Sequence, residues 1–378
     1  MPHEVDSLIP IDTVLVKLAS RCNLDCDYCY VYRMGDQAWR AQPKLMSSET
    51  LDALARGLAR LGGAQSDPLS VVFHGGEPLL VGAQRFEAAC SAIRSQLPPP
   101  HGLHVQTNGL LLSHEVIDVC AKYDVGISIS IDGPADVHDR HRPDLRGRRS
   151  HDKVVASIAR VLEHPQGNAL LSGLLSVVDL EANPAEVYAF FKAVGARSVD
   201  FLYRDGNHDL LPVGKTSLLS TEYGDWMTAL LDEYLADPSP IRIRLLDDML
   251  RLLLGGRSVK EGVGDEDYGI LVVETDGTIT KNDTLKSAGG GDRFKEIWTV
   301  HDDLLEIVAS EAFKKYHRSQ KPSSPVCLSC PDLRVCGGGM PTHRWSARNG
   351  LDNPSVFCAD QRRLIDHMRQ TLSMRAVA

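Results

Sequence analysis

The sequence predicts an α/β fold: six consecutive βα units forming a partial (β/α)6 barrel of TIM type, then a helical connector and a smaller C-terminal extension. Three observations predict it. From Asp12 to about Leu202, short β-branched runs alternate with segments of helical period, the pattern of a parallel sheet. Polar or glycine-rich residues follow each run, and the C-terminal ends of parallel strands are where such folds build sites. Of the nine cysteines, all but Cys90 and Cys120 fall into two spaced groups, one near each end of the chain.

The expected strands are Thr13 to Leu18, Ser70 to Phe73, His104 to Thr107, Gly126 to Ile131, Ala169 to Val177 and Ser198 to Leu202. Helical periodicity fills the gaps at Ser48 to Leu61, Ala83 to Gln96, His114 to Tyr123, His151 to Glu163 and Pro184 to Val194. Asn183, Pro184 and Glu186 read as an N-cap, a first-turn proline and a capping-box acid. The strand ends carry the first three cysteines, Gly75-Gly76-Glu77-Pro78, Asn108-Gly109, Asp132-Gly133-Pro134, Val178-Asp179 and Tyr203-Arg204. Ser220 to Leu254 reads as a helical connector, and Ile270 to Thr280 as a hairpin turning at Asp276-Gly277. The last helix is expected near Asp360 to Met374. These elements divide the chain into a core at 10–215, a connector at 216–260 and an extension at 261–378.

A net charge of −9 argues against a nucleic-acid partner, which needs clustered cations. The basic run from Arg140 to Arg149 reads as a solvated loop or a holder of carboxylates. No apolar run is long enough to span a bilayer and no secretory signal precedes the first strand, so no membrane partner and a cytoplasmic location are expected. In that compartment thiols stay reduced. Cys90 and Cys120, inside helical patterns, are expected to be packed core thiols.

Cys22, Cys26 and Cys29 place three thiolates directly after a strand, enough to hold three irons of a cubane and leave the fourth open. Structural zinc needs four ligands, and the next Cys or His is His74. The spacing, with Tyr28 before the last cysteine, resembles the signature of the radical S-adenosylmethionine (SAM) superfamily. Gly75, Gly76, Glu77 and Pro78 match the turn that this family uses to hold the methionine end of SAM. Two glycines allow close backbone approach, and Glu77 offers a carboxylate to the ammonium. The resemblance implies a SAM-binding [4Fe-4S] cluster and reductive cleavage of SAM to a 5′-deoxyadenosyl radical. It also implies SAM contacts from Tyr28 and Asn108, from Ser130 and Asp132 near the ribose or substrate, from Arg142 near the carboxylate and from Val178 near the adenine.

Cys327, Cys330, Cys336 and Cys358, with Gly337-Gly338-Gly339, resemble the C-terminal SPASM extension of peptide- and protein-modifying members. A full SPASM domain carries further cysteines, one five residues after the hairpin glycine and one four after the third of these. Here those positions are Asn282 and Met340. The extension is therefore read as truncated, with one auxiliary [4Fe-4S] cluster on the four retained cysteines. A four-cysteine zinc site is the alternative that spacing leaves open.

Asp283 follows the lost hairpin cysteine, at the place where such enzymes carry a base near the substrate. Further details, including Val199-Asp-Phe-Leu202 and Asp352-Asn353-Pro354-Ser355, resemble the cyclophane-forming peptide maturases. The resemblance implies oxidative cross-linking of side chains in a ribosomally made precursor peptide, with flavodoxin or ferredoxin as electron donor. The alternatives are a sulfatase maturase making formylglycine and a non-catalytic iron-sulfur or zinc protein. The first strand opens at Thr13, leaving little chain before it for a winged-helix leader-binding domain. Leader recognition is therefore expected at the barrel rim, the connector or a separate protein.

Overall fold

The computed structural model describes residues 8–289, 291 and 293–377. Six strands follow one another across a parallel sheet: β1 (Thr13–Ala19), β2 (Ser70–Gly75), β3 (Gly102–Thr107), β4 (Gly126–Ser130), β5 (Leu171–Val177) and β6 (Ser198–Leu202). The helices between them are Ser48–Gly63, Ala83–Gln96, His114–Tyr123, His151–Glu163 and Pro184–Ala193, with a further turn of helix at Ala135–His141. Caps fix several starts. Ser47, Ser113 and Asn183 accept from the backbone of Thr50, Val116 and Ala185, each satisfying an orphan N–H of a first turn.

Strand side chains alternate between two surroundings, as a period of two requires. Val14, Val16, Val71, Phe73, Val105, Ile127 and Ile129 have no exposed surface and join the core beneath the helices. Their neighbours Thr13, Leu15, Val72, His74, Gln106 and Ser130 line a cavity on the other side. Cys90 and Cys120 are fully buried in the core, as expected of packed thiols.

The sheet does not end at six strands. A short β7 (Arg242–Ile243) pairs parallel with β6, β8 (Ile270–Val273) pairs parallel with β1, and β9 (Ile279–Thr280) returns antiparallel to β8. The order is β7-β6-β5-β4-β3-β2-β1-β8-β9. The hairpin foreseen at Ile270 to Thr280 therefore covers the open edge of β1, and strands from beyond residue 215 join the same sheet. Pairing satisfies the edge N–H and C=O groups that β1 would otherwise expose.

Two local expectations differ. The fifth strand starts at Leu171, because Gly167–Leu170 forms a turn of helix. The connector is two helices, Glu222–Ala236 and Arg244–Leu253, since Pro238 and Pro240 break the helical pattern between them and β7 follows. The last helix, Cys358–Val377, packs on Glu222–Ala236, where Gly224 lies against the Asp360 backbone and a buried Lys215–Asp360 pair closes at 2.6 Å. Among the described residues, no helix is long and apolar enough to cross a membrane.

Candidate active site

The cavity on the open side of the sheet measures about 570 Å³, and Cys22, Cys26 and Cys29 all border it. Their loop leaves the end of β1 and is pinned from two directions. Asn108 donates to Asn23 Oδ1 at 2.7 Å, and the backbone N–H groups of Asp25 and Asp27 donate to the carbonyls of Pro143 and His141. The basic run thus holds the cysteine loop. It also binds carboxylates, Arg140 reaching Asp179 and Glu181, and Arg148 reaching Asp144. Burial pushes the Cys22 thiol up to about 12 and Cys26 to about 11, with neighbouring thiols adding to both shifts. A metal binding here must displace those protons.

Glycine is required at Gly75 and Gly76 by what already sits beside them. A Cβ on Gly75 would lie 2.1 Å from the Ala19 carbonyl oxygen, and one on Gly76 would lie 2.0 Å from the Tyr32 hydroxyl and 2.3 Å from the Arg21 carbonyl. The turn is stitched to the cysteine loop by Gly76 N–H to Ala19 and Glu77 N–H to Arg21, both 2.9 Å. Glu77 borders the cavity, but its carboxylate accepts from Thr107 Oγ1 at 2.7 Å, Asn108 N–H at 2.8 Å and Leu79 N–H at 3.1 Å. Burial pushes this carboxyl up to about 7 against those donors. Its side chain therefore ties β2 to β3 while bordering the cavity. Pro78 is buried behind the turn.

Tyr28 donates to Asp132 at 2.5 Å, and Arg142 Nε donates to the same oxygen at 2.9 Å. The Arg142 and Arg204 guanidinium carbons stand 5.4 and 5.3 Å from the Tyr28 ring centre. Burial acts against the Asp132 carboxylate, but Arg142 outweighs it and holds the group below its usual range. Arg142 and Tyr28 line the cavity, whereas Asp132 stands behind them and also accepts from Val177 N–H. Ser130 lines the cavity and accepts from Gln106. Val178 has its side chain in the core; Val177 is the residue that borders the cavity.

Asp283 reaches the cavity wall, but it is almost fully buried and ion-paired with Lys17 at 2.8 Å and Lys286 at 3.1 Å. Glu274 completes a four-membered charge cluster with both lysines. Burial pushes the Asp283 carboxyl up, yet the two ammonium groups outweigh it and hold it well below the carboxylate range. His74, also on the cavity, has no hydrogen-bond partner for Nδ1, and burial lowers its pKa. Neither Lys17 nor His74 is foreseen from the sequence. The signal was a lysine inside the apolar run of β1 and a histidine preceding the glycine pair.

The second cysteine group lies at the start of the last helix and the loops before it. Cys330 N–H bonds to the Cys327 carbonyl and Cys358 N–H to Ser355. Burial raises the thiols of Cys327, Cys336 and Cys358, and the other cysteines of the group raise them further. Arg344 has no exposed surface; it donates to the carbonyls of Ser319, Gln320 and Lys321 while Nε has no partner. Burial brings this guanidinium down to about 10 against the nearby sulfurs of Cys327 and Cys336. Arg344 is ion-paired with no carboxylate among the described residues, and a buried cation near these thiols fits a thiolate-bound, negatively charged group.

The family model of the radical SAM superfamily matches residues 16–192. A cysteine-type anaerobic sulfatase-maturating enzyme of Clostridium perfringens is 23% identical over 374 residues, covering 95% of this chain and 96% of that protein. The serine-type enzyme of Bacteroides thetaiotaomicron is 24% identical over 383 residues, covering 95% and 89%. Among solved structures, native anSMEcpe with bound AdoMet aligns with a TM-score of 0.81 at 21% identity, over 96% of this chain and 99% of that one. SuiB of Streptococcus suis, bound to precursor peptide SuiA, aligns at 0.60 with 14% identity, over 89% and 73%. These structural likenesses establish the shared fold, a parallel α/β core with a SPASM-like extension. Residues 16–192 match a radical SAM domain, and the likeness to sulfatase-maturating enzymes extends along nearly the whole chain.

Proposed function

We propose that the protein is a peptide maturase that cross-links side chains of a ribosomally made precursor by oxidation, the cyclophane type of linkage. Cys22, Cys26 and Cys29 would hold the [4Fe-4S] cluster that binds SAM, and Cys327, Cys330, Cys336 and Cys358 would hold one auxiliary [4Fe-4S] cluster. When bound, the first cluster and SAM supply a carbon radical that removes hydrogen from the substrate. The chain's own residues then bind, orient and deprotonate.

The observation that carries this reading is the cavity wall at Asn282 and Met340, which stand where a full SPASM set has cysteines. The state of Asp283 supports it. On the cavity wall, Asp283 is kept ionised by Lys17 and Lys286 and so presents a carboxylate that can accept a proton. Arg142 and Arg204, stacked on Tyr28, give the cavity a fixed cationic side for an anionic group such as a carboxylate. A flavodoxin or ferredoxin is the proposed electron donor.

Formylglycine formation is the second reading, favoured by likeness to sulfatase-maturating enzymes along nearly the whole chain. Anaerobically reconstituted enzyme, given SAM, a reductant and the peptide encoded beside its gene, separates them. Loss of two hydrogens with a new bond between two residues establishes cross-linking. Conversion of a single Cys or Ser to an aldehyde overturns it in favour of the second reading.

A further inference from the structure

Taking the substrate to be a peptide, as proposed above, we infer that Glu261, Asn282 and Met340 form a subsite for one of its basic side chains, Lys or Arg. Two of the three, Asn282 and Met340, stand at positions where the resemblance would place cysteines.

The three residues are far apart in sequence but line the same cavity. Asn282 is fixed on every side. Its N–H donates to the Tyr316 hydroxyl, its Oδ1 accepts from Thr284, and its Nδ2 donates to Glu261 Oε1 at 2.6 Å. Met340 closes the neighbouring wall so tightly that a Cβ on Gly262 would stand 2.8 Å from its sulfur. A polar pair thus faces the cavity beside a thioether surface able to cover an aliphatic stem.

Charge selects the ligand. Glu261 is partly buried on the cavity wall, and its second oxygen has no donor among the described residues. The adjacent cation, Lys260, is bound by both oxygens of Asp200 at 2.7 and 2.8 Å. Lys17 and Lys286 are held by Asp283 and Glu274. Asp205, another carboxylate on the cavity, has His343 at 3.4 Å as its one ion-pair partner among the described residues. A partly buried carboxylate whose neighbouring cation is held elsewhere gains from an incoming ammonium or guanidinium. Burial pushes Glu261 up to about 7, consistent with a site awaiting its counter-ion.

The test uses the reconstituted holoenzyme with SAM as bait for a random peptide library, followed by sequencing of retained peptides. Enrichment of Lys and Arg in the wild type is expected. Glu261→Gln should reduce it about tenfold or more, and Glu261→Lys should turn it toward Asp and Glu. Competition on the wild type covers the case in which a variant misfolds: agmatine should displace retained peptides and uncharged n-butylurea should not. Peptides retained without basic preference, a preference untouched by Glu261→Gln, or equal competition by the two compounds overturns the subsite and leaves the maturase reading intact. Retention of no peptide at all overturns the maturase reading, and the subsite with it.

Discussion

Lys17 lies within an apolar strand, with its ammonium between Glu274 and Asp283. Replacing it with Met leaves two buried carboxylates sharing Lys286, and removal of one partner from a buried pair costs about 3–5 kcal/mol. Lys17→Met should lower unfolding stability by that order in a urea titration at neutral pH. The charge state of Glu261 gives a prediction about pH. Its carboxyl rises in the folded protein to about 7, from an ordinary 4.5, so the native state holds a proton that the unfolded chain releases between those values. Stability from this group is complete below pH 4.5 and is lost as pH rises through 7, an effect on the order of 1–3 kcal/mol. Urea midpoints of the peptide-free protein should therefore fall less between pH 5 and pH 8 in Glu261→Gln than in the wild type. An unchanged difference would show that Glu261 titrates normally. The two cysteine groups were legible from spacing, and Asp283 was singled out by the resemblance alone. The partners of Asp283 were not legible, because Lys17 and Lys286 reach it only through folding.

At the scale of elements, the turn after β2 and the hairpin at the sheet edge matter most. Gly76→Ala would drive a methyl group into the Tyr32 hydroxyl and Arg21 carbonyl, so overpacking of about 1–3 kcal/mol is expected, with a lower thermal midpoint. The cysteine loop should suffer with it, since the turn and loop share two backbone hydrogen bonds. Weaker cluster absorbance after reconstitution would report that coupling. In β8, Val272 pairs with both Leu15 and Thr280. Val272→Pro removes a ladder donor and should cost roughly 3 kcal/mol. Faster protease cleavage between β8 and the following cysteines would be its sign. The hairpin was foreseen from Asp276-Gly277 and its flanking apolar residues, because a tight turn is a local event. Its pairing with β1 was not, since no local pattern says which edge a hairpin will cover.

At the scale of the whole molecule, two groups of thiols stand in one chain with separate tasks. Reconstituted wild-type protein should carry about eight irons per chain by cubane stoichiometry. Cys22→Ala, Cys26→Ala and Cys29→Ala together should leave about four and abolish 5′-deoxyadenosine formation, as measured by iron assay and chromatography. Full SAM cleavage by that triple variant would rule out the assignment. The sequence alone determined the six βα units, the helices between them and both cysteine groups, because periodicity, caps and ligand spacing act over a few residues. It also marked Asn282 and Met340 as departures from a full cysteine set. Only the tertiary structure decided that Glu77 accepts from Thr107 and Asn108 and that Val178 belongs to the core. Only there do Glu261, Asn282 and Met340 meet, since β8 must first dock on β1 and carry residues remote in the chain to one wall. Contacts between distant segments depend on packing and charge pairing in three dimensions, and one-dimensional spacing holds no record of them.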